Sequence, residues 1–232
     1  MNHRRDHEDE DIERVARDAR RALGIEFTLK PDMITAVFKA KYLGFLKGYV
    51  RIPDADMPDD LAAFDPETGI LSLQESTFTA ANEVLGNPPG RKRARFTIAH
   101  EFGHVFLGHK KTRHRNISGR KIEKIAAPIV RDERDADRFA AAFLAPSYLV
   151  ENPLLVSDRD MADKFDISQT ASSIRLDVLQ RIYRRTHGIP RPIPESIYEF
   201  LTDAAKRGAK VTSLEAENKR RIAEAKARGK GK

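Results

Sequence analysis

The chain has 232 residues, 40% hydrophobic and 33% charged, a globular balance long enough for one good-sized core and a small appended unit. It contains no cysteine, which excludes a disulfide framework and any thiolate metal site and fits a reducing cytoplasm. The net charge is +7, but residues 203–232 hold ten Lys or Arg against four Asp or Glu, a net +6, so the body is near neutral and the excess reads as a solvated basic tail.

The opening "MNHRRDHEDEDIERVARD" (1–18) is too charged for the apolar core of a signal peptide. No apolar run approaches the ~18–20 residues of a membrane-spanning helix, so a cytoplasmic protein without a membrane partner is expected. Ile12, Val15, Ala19 and Leu23, spaced by three and four, predict an amphipathic helix over about 9–23 with Gly24 as its stop. A second helix follows Pro31–Asp32 and runs to about Lys41. Short apolar or alternating runs then appear at 48–53, 61–65 and 69–74, and "DPETG" (65–69) has proline and glycine where a turn needs them. These predict a small antiparallel sheet of about three strands. After a loop at 85–93 comes "RARFTIAHEFGHVFLGH" (93–109), the stretch that carries the chemistry. Further helices are expected at 131–149, ended by Pro146, and at 158–186, broken near 166–168 with Ser168 as a candidate N-cap. "PRPIP" (190–194) interrupts the pattern before a last helix and the basic tail.

On a helix, His100 and His104 are four residues apart and project from one face, so both imidazoles can grip one divalent ion. Glu101 lies about 100° further round, beside the ion without having to ligate it. Two ligands and a carboxylate that can take a proton from metal-activated water are what a metallohydrolase needs. The alternative, a structural helix that buries two histidines and a glutamate among Ile98, Phe102, Val105 and Phe106, is costly without partners.

A catalytic zinc usually takes three protein ligands. Leu107 and Lys110 stand where one zincin class would continue with glycine and a third histidine, so that class does not fit. His109 falls on a different face from His104 and His114 in a basic stretch, and both are expected to be exposed. The other source is the 131–144 helix, whose buried stripe is Ala136, Phe139, Ala140, Phe143 and Leu144. Glu133 flanks that stripe, with Asp137 one turn on as a hydrogen-bond partner for a ligating imidazole. Asp135 points away. Asp132 occupies the other flank and remains a rival to Glu133.

"RARFTIAHEFGH" (93–104), followed twenty-nine residues after His104 by "ERDADRFAAAFLAP" (133–146), resembles the ImmA/IrrE metallopeptidases. The similarity spans about residues 31–185, including "MADKFDISQTASSIRL" (161–176), where the family tends to carry a helix-turn-helix-like pair. One departure is "FLAP" (143–146), where a methionine often precedes the proline. The resemblance implies an α+β, minimal zincin-like core with a helical C-terminal part. It makes His100, His104 and Glu133 ligands of one Zn2+ and Glu101 the general base. It also implies, as substrate, a helix-turn-helix transcriptional repressor, often in a stress response or a mobile-element switch, and supplied as a separate protein.

The expected organisation is an N-terminal amphipathic helix (1–30), a metallopeptidase core (31–149), a helix-turn-helix-like region (150–190), and a final helix with a basic tail (191–232). An extended substrate could pair along a sheet edge near Ile70–Gln74. Tyr148 is near the site helix in sequence, but nothing orients it as an oxyanion donor. The competing reading is a regulatory or DNA-binding module. It rests on the helical pair, where Gln169, Ser172 and Arg175 would have to reach base edges, and on the basic tail.

Overall fold

The structure, a computed structural model, describes residues 3–82, 88–109 and 127–229. Helix α1 (His3–Ala22) is followed by α2 (Met33–Tyr42), strands β1 (Gly48–Ile52), β2 (Ala62–Asp65) and β3 (Ile70–Gln74), and helix α3 (Glu75–Ala81). Then come α4 (Arg91–Phe106), α5 (Ala127–Leu144), α6 (Asp158–Phe165), α7 (Gln169–Thr186), α8 (Glu195–Lys206) and α9 (Thr212–Gly229). The chain divides into two compact units, Met1–Tyr183 and Arg184–Lys232.

The first unit is an α+β, zincin-like core. Helix α4 is its centre, with β2 and α3 packed on one side and α5 and α1 on the other. Of the α1 pattern, Ile12, Ala19 and Leu23 are buried in the common core and Val15 is partly buried against it, Ala16 joins them, and Gly24 turns the chain at φ 66°. Asp32 caps α2 by accepting from the Thr35 N–H at 2.7 Å.

All three strands lie where the runs predicted, but the sheet is mixed. Its order is β1-β3-β2, with β2 antiparallel and β1 parallel to the central β3. The "DPETG" turn, closed by Gly69 at φ 71°, forces β2 and β3 into a hairpin. The nine-residue link after β1 reverses the chain once already, so β1 can join only the free side of β3, and in parallel. Alternation of apolar residues carries no polarity, so this could not be read in advance. A second correction follows. Ile70–Gln74 is the central strand, hydrogen-bonded on both sides, and the edge beside α4 is β2.

Helix α3 was not expected. Its sequence "ESTFTAA" has weak helix propensity, and packing of Thr77 and Ala81 in the core and of Phe78 over Tyr49 (ring centres 6.5 Å apart) supports it instead. Two buried arginines tie the helices together. Arg20 of α1 donates to the Phe143 and Ile25 carbonyls at 2.6 and 2.9 Å, and Arg95 of α4 donates to Pro31 O at 2.7 Å. Between α6 and α7, Asp166 adopts φ 53° and Ser168 caps α7, its Oγ accepting from the Ala171 N–H at 3.1 Å.

In the second unit the stretch expected as a tail after one helix forms a further helix, α9. Arg221 of α9 bonds Glu195 of α8 at 2.8 Å and stacks over Tyr198, while Glu217 accepts from both Arg220 and Arg221. No helix among the described residues is long and apolar enough to cross a membrane.

Candidate metal centre

Helix α4 can sit close to α5 because of Gly103 and Ala136, and that approach brings Glu133 over the histidines. His100, His104 and Glu133 each offer one ligand atom, all within 4.8 Å of one another. The two Nε2 atoms are 3.1 Å apart, and they stand 3.4 and 3.8 Å from the Glu133 carboxylate oxygens. Two imidazole nitrogens bound at ~2.0–2.1 Å to one tetrahedral ion would lie roughly 3.3 Å apart, close to the spacings found, so the donor set fits a divalent metal.

The outer nitrogens are held as well. His100 Nδ1 is 2.8 Å from Asp137 Oδ1, the partner expected from the helix register. His104 Nδ1 is 2.9 Å from His109 Nδ1, which was not expected. His109 is not exposed; its side chain is 9% accessible and its Nε2 faces Asp132 Oδ1 at 3.9 Å. The reason is local. Gly108 at φ 68° ends α4, and the His109 N–H donates to His104 O at 3.1 Å while Gly108 N–H reaches Val105 O, folding residue 109 back over residue 104. The signal was the glycine after the helix, which places the next residue over the last turn. If His104 binds metal through Nε2, its Nδ1 must carry the proton. His109 Nδ1 then accepts it, and His109 Nε2–H points at Asp132. Asp132 is thus engaged with His109 and lies outside the ligand cluster. His114 lies outside the described residues.

Glu101 is buried, 7% exposed, and its Oε2 accepts from the Phe64 N–H of β2 at 2.8 Å. Burial pushes its carboxyl up to about 7, against the opposing pull of His100 and the Phe64 N–H. For His100, burial acts to lower the imidazole, but hydrogen bonds to Asp137 and Glu133 outweigh it and raise it to about 9. Burial and the neighbouring His100 charge hold His104 down, at about 4. The group opens into a cleft of about 220 Å³ between α4, α5 and β2, whose lining includes Asp60, Leu61, Ala63, Phe96 and Thr97. Tyr148 is not in that lining. Its hydroxyl donates to Glu26 O at 2.7 Å and accepts from Arg20 Nε at 3.1 Å, a structural role.

A helix with two histidines one turn apart, a carboxylate from the next helix and a sheet edge alongside give the layout of a zincin-like core. Residues 87–177 match the family model Peptidase_M78, the IrrE N-terminal-like domain, from just before α4 into α7. Over that segment the chain is similar to the ImmA/IrrE family, a metallopeptidase-type family. No curated protein and no solved structure gives a significant match.

Proposed function

We propose that the chain is a zinc-dependent endopeptidase that cleaves a separate protein, a helix-turn-helix repressor being the class its family resemblance implies. The observation that carries this reading is the convergence of His100, His104 and Glu133 on one point, with Glu101 next to His100 on the same helix. These three side chains would hold the ion. When bound, a divalent ion supplies Lewis-acid polarisation of the scissile carbonyl and makes water a better nucleophile at neutral pH.

The chain's own residues supply the rest. At about 7, the Glu101 carboxyl is poised to take a proton from the attacking water and return it to the departing amine. The Phe64 N–H holds Oε2, which leaves Oε1 as the oxygen for transfer. Asp137 and His109 orient the two imidazoles. In β2, Ala62 directs its backbone groups away from β3, so an extended substrate segment would lie along β2.

The DNA-binding reading loses two of its three side chains. Ser172 is buried and donates to Asp158 O at 2.5 Å, and Arg175 is buried, donating to Ala145 O at 2.8 Å and pairing with Glu13. The test is co-expression with helix-turn-helix repressors, beginning with any encoded beside this chain. Wild type should shorten one of them on a gel, and Glu101→Gln should leave it whole while keeping its metal. Intact repressors with wild-type protein that binds DNA specifically would overturn the proposal.

A further inference from the structure

A groove of about 700 Å³, larger than the histidine cleft, runs beside it between α1, α4, α5 and α7. One wall is a stripe on α7, where Ala171, Ile174 and Val178 recur at helical spacing. Ile12 of α1, Phe96 of α4 and Ala141 of α5 face it. Ile174 leaves 62% of its surface in solvent, an exposure that a core position would not show. The groove and the cleft share Arg93, Phe96 and Asp137, so the two are continuous.

The charges around the groove are not balanced. Its acidic side chains are already engaged: Asp9 with Arg138 and Arg181, Glu13 with Arg175, and Asp137 with His100. Three exposed cations remain, Lys92 and Arg93 on α4 and Arg134 on α5, and none forms an ion pair among the described residues. An apolar floor with an uncompensated basic rim selects against a bare phosphate backbone, which offers nothing apolar. It favours a partner that is apolar along one stripe and acidic at its flanks.

We infer that this groove docks an amphipathic helix of the protein substrate, its apolar stripe on Ile174, Val178 and Phe96 and its acidic flank on Lys92, Arg93 and Arg134. The docked helix positions the neighbouring extended segment at the histidine cleft, and in that part the inference rests on the peptidase reading. Docking through an adjoining groove lets a small cleft act on one protein among many, because the selective contacts lie beside the scissile bond and not at it.

The experiment measures binding, so it does not depend on turnover. The probe is a fluorescein-labelled peptide of about 18 residues, roughly five helical turns, with leucines at i, i+3, i+4 and i+7 and glutamates on the flanks. Anisotropy titrations use the full chain carrying Glu101→Gln. The acidic peptide should bind, and replacing its glutamates by lysines should weaken it about tenfold or more. Ile174→Glu and Arg134→Glu, both at exposed positions, should each weaken it about tenfold as well, with an unchanged melting temperature. Absence of binding, equal binding of the lysine peptide, or indifference to both substitutions would overturn the groove. Metal content is read on the same samples. Protein that binds the peptide yet holds no metal would keep the groove and sink the peptidase reading; protein that holds metal and ignores the peptide would do the reverse.

Discussion

The Cβ that Gly103 lacks would stand 2.8 Å from the Cα of Ala136, closer than side chains come to a backbone atom. Gly103 immediately precedes His104, and Ala136 is one turn beyond Glu133, so this contact sets how far the Glu133 carboxylate reaches. Gly103→Ala should therefore separate α4 from α5. Overpacking costs about 1–3 kcal/mol, against about 1 kcal/mol gained in helix propensity. The expected result is a lower melting temperature together with weaker metal binding, read by calorimetry and by metal titration. An unchanged affinity would mean that Glu133 does not depend on this approach.

Metal content separates Glu133 from its rival Asp132. His100→Ala, His104→Ala and Glu133→Ala should each strip the ion, while Asp132→Ala and Glu101→Gln should retain it, as measured by elemental analysis. Asp132 faces His109 and not the two Nε2 atoms. Full metal in Glu133→Ala would remove that residue from the ligand set.

His109 is expected to act as a positioning residue through His104. His109→Ala should lower metal affinity about 10- to 100-fold, the usual effect of losing an imidazole's outer partner, with the fold intact. Asp137→Asn should act on His100 in the same range. A competition assay with a chromophoric chelator measures both. His109→Asn, which can still accept from His104 Nδ1, should recover part of the loss; no recovery would assign His109 to packing alone.

Asp9 links α1 to α5 and α7 through Arg138 and Arg181. Burial alone would raise its carboxyl, but the two guanidiniums outweigh this and hold it below its ordinary value of 3.8. A depressed carboxyl adds stability above its unfolded value and loses it as pH falls through the folded one. Wild type should therefore lose melting temperature below about pH 4, and Asp9→Asn should be less stable at pH 7 by about 1–3 kcal/mol with a flatter acid limb. Parallel pH profiles for the two proteins would count against this link.

Much of the site was legible in the sequence because a helix fixes angular relationships among near neighbours. A spacing of four from His100 to His104, and from Glu133 to Asp137, determines which side chains share a face wherever the helix is placed. The apolar stripe of α5 then states which face is inward, and the strand positions follow from turn chemistry at Asp65–Gly69 in the same local way. His109 was missed only because its place depends on the backbone reversal at Gly108 and not on the period of α4.

Tertiary structure alone decided the rest. Whether β1 runs parallel or antiparallel, and which strand forms the edge beside α4, depends on how chain reversals close in space, and side-chain alternation is blind to direction. The burial of Arg20, Arg95 and Arg175 was equally hidden. A charged side chain can leave water only where carbonyls or carboxylates meet it; Arg95 and Arg175 find theirs on distant segments, and Arg20 combines the nearby Ile25 carbonyl with that of distant Phe143. The same holds for the groove: the α7 stripe is local, but the rim of cations around it exists only because α4 and α5 bring Lys92, Arg93 and Arg134 to the same side.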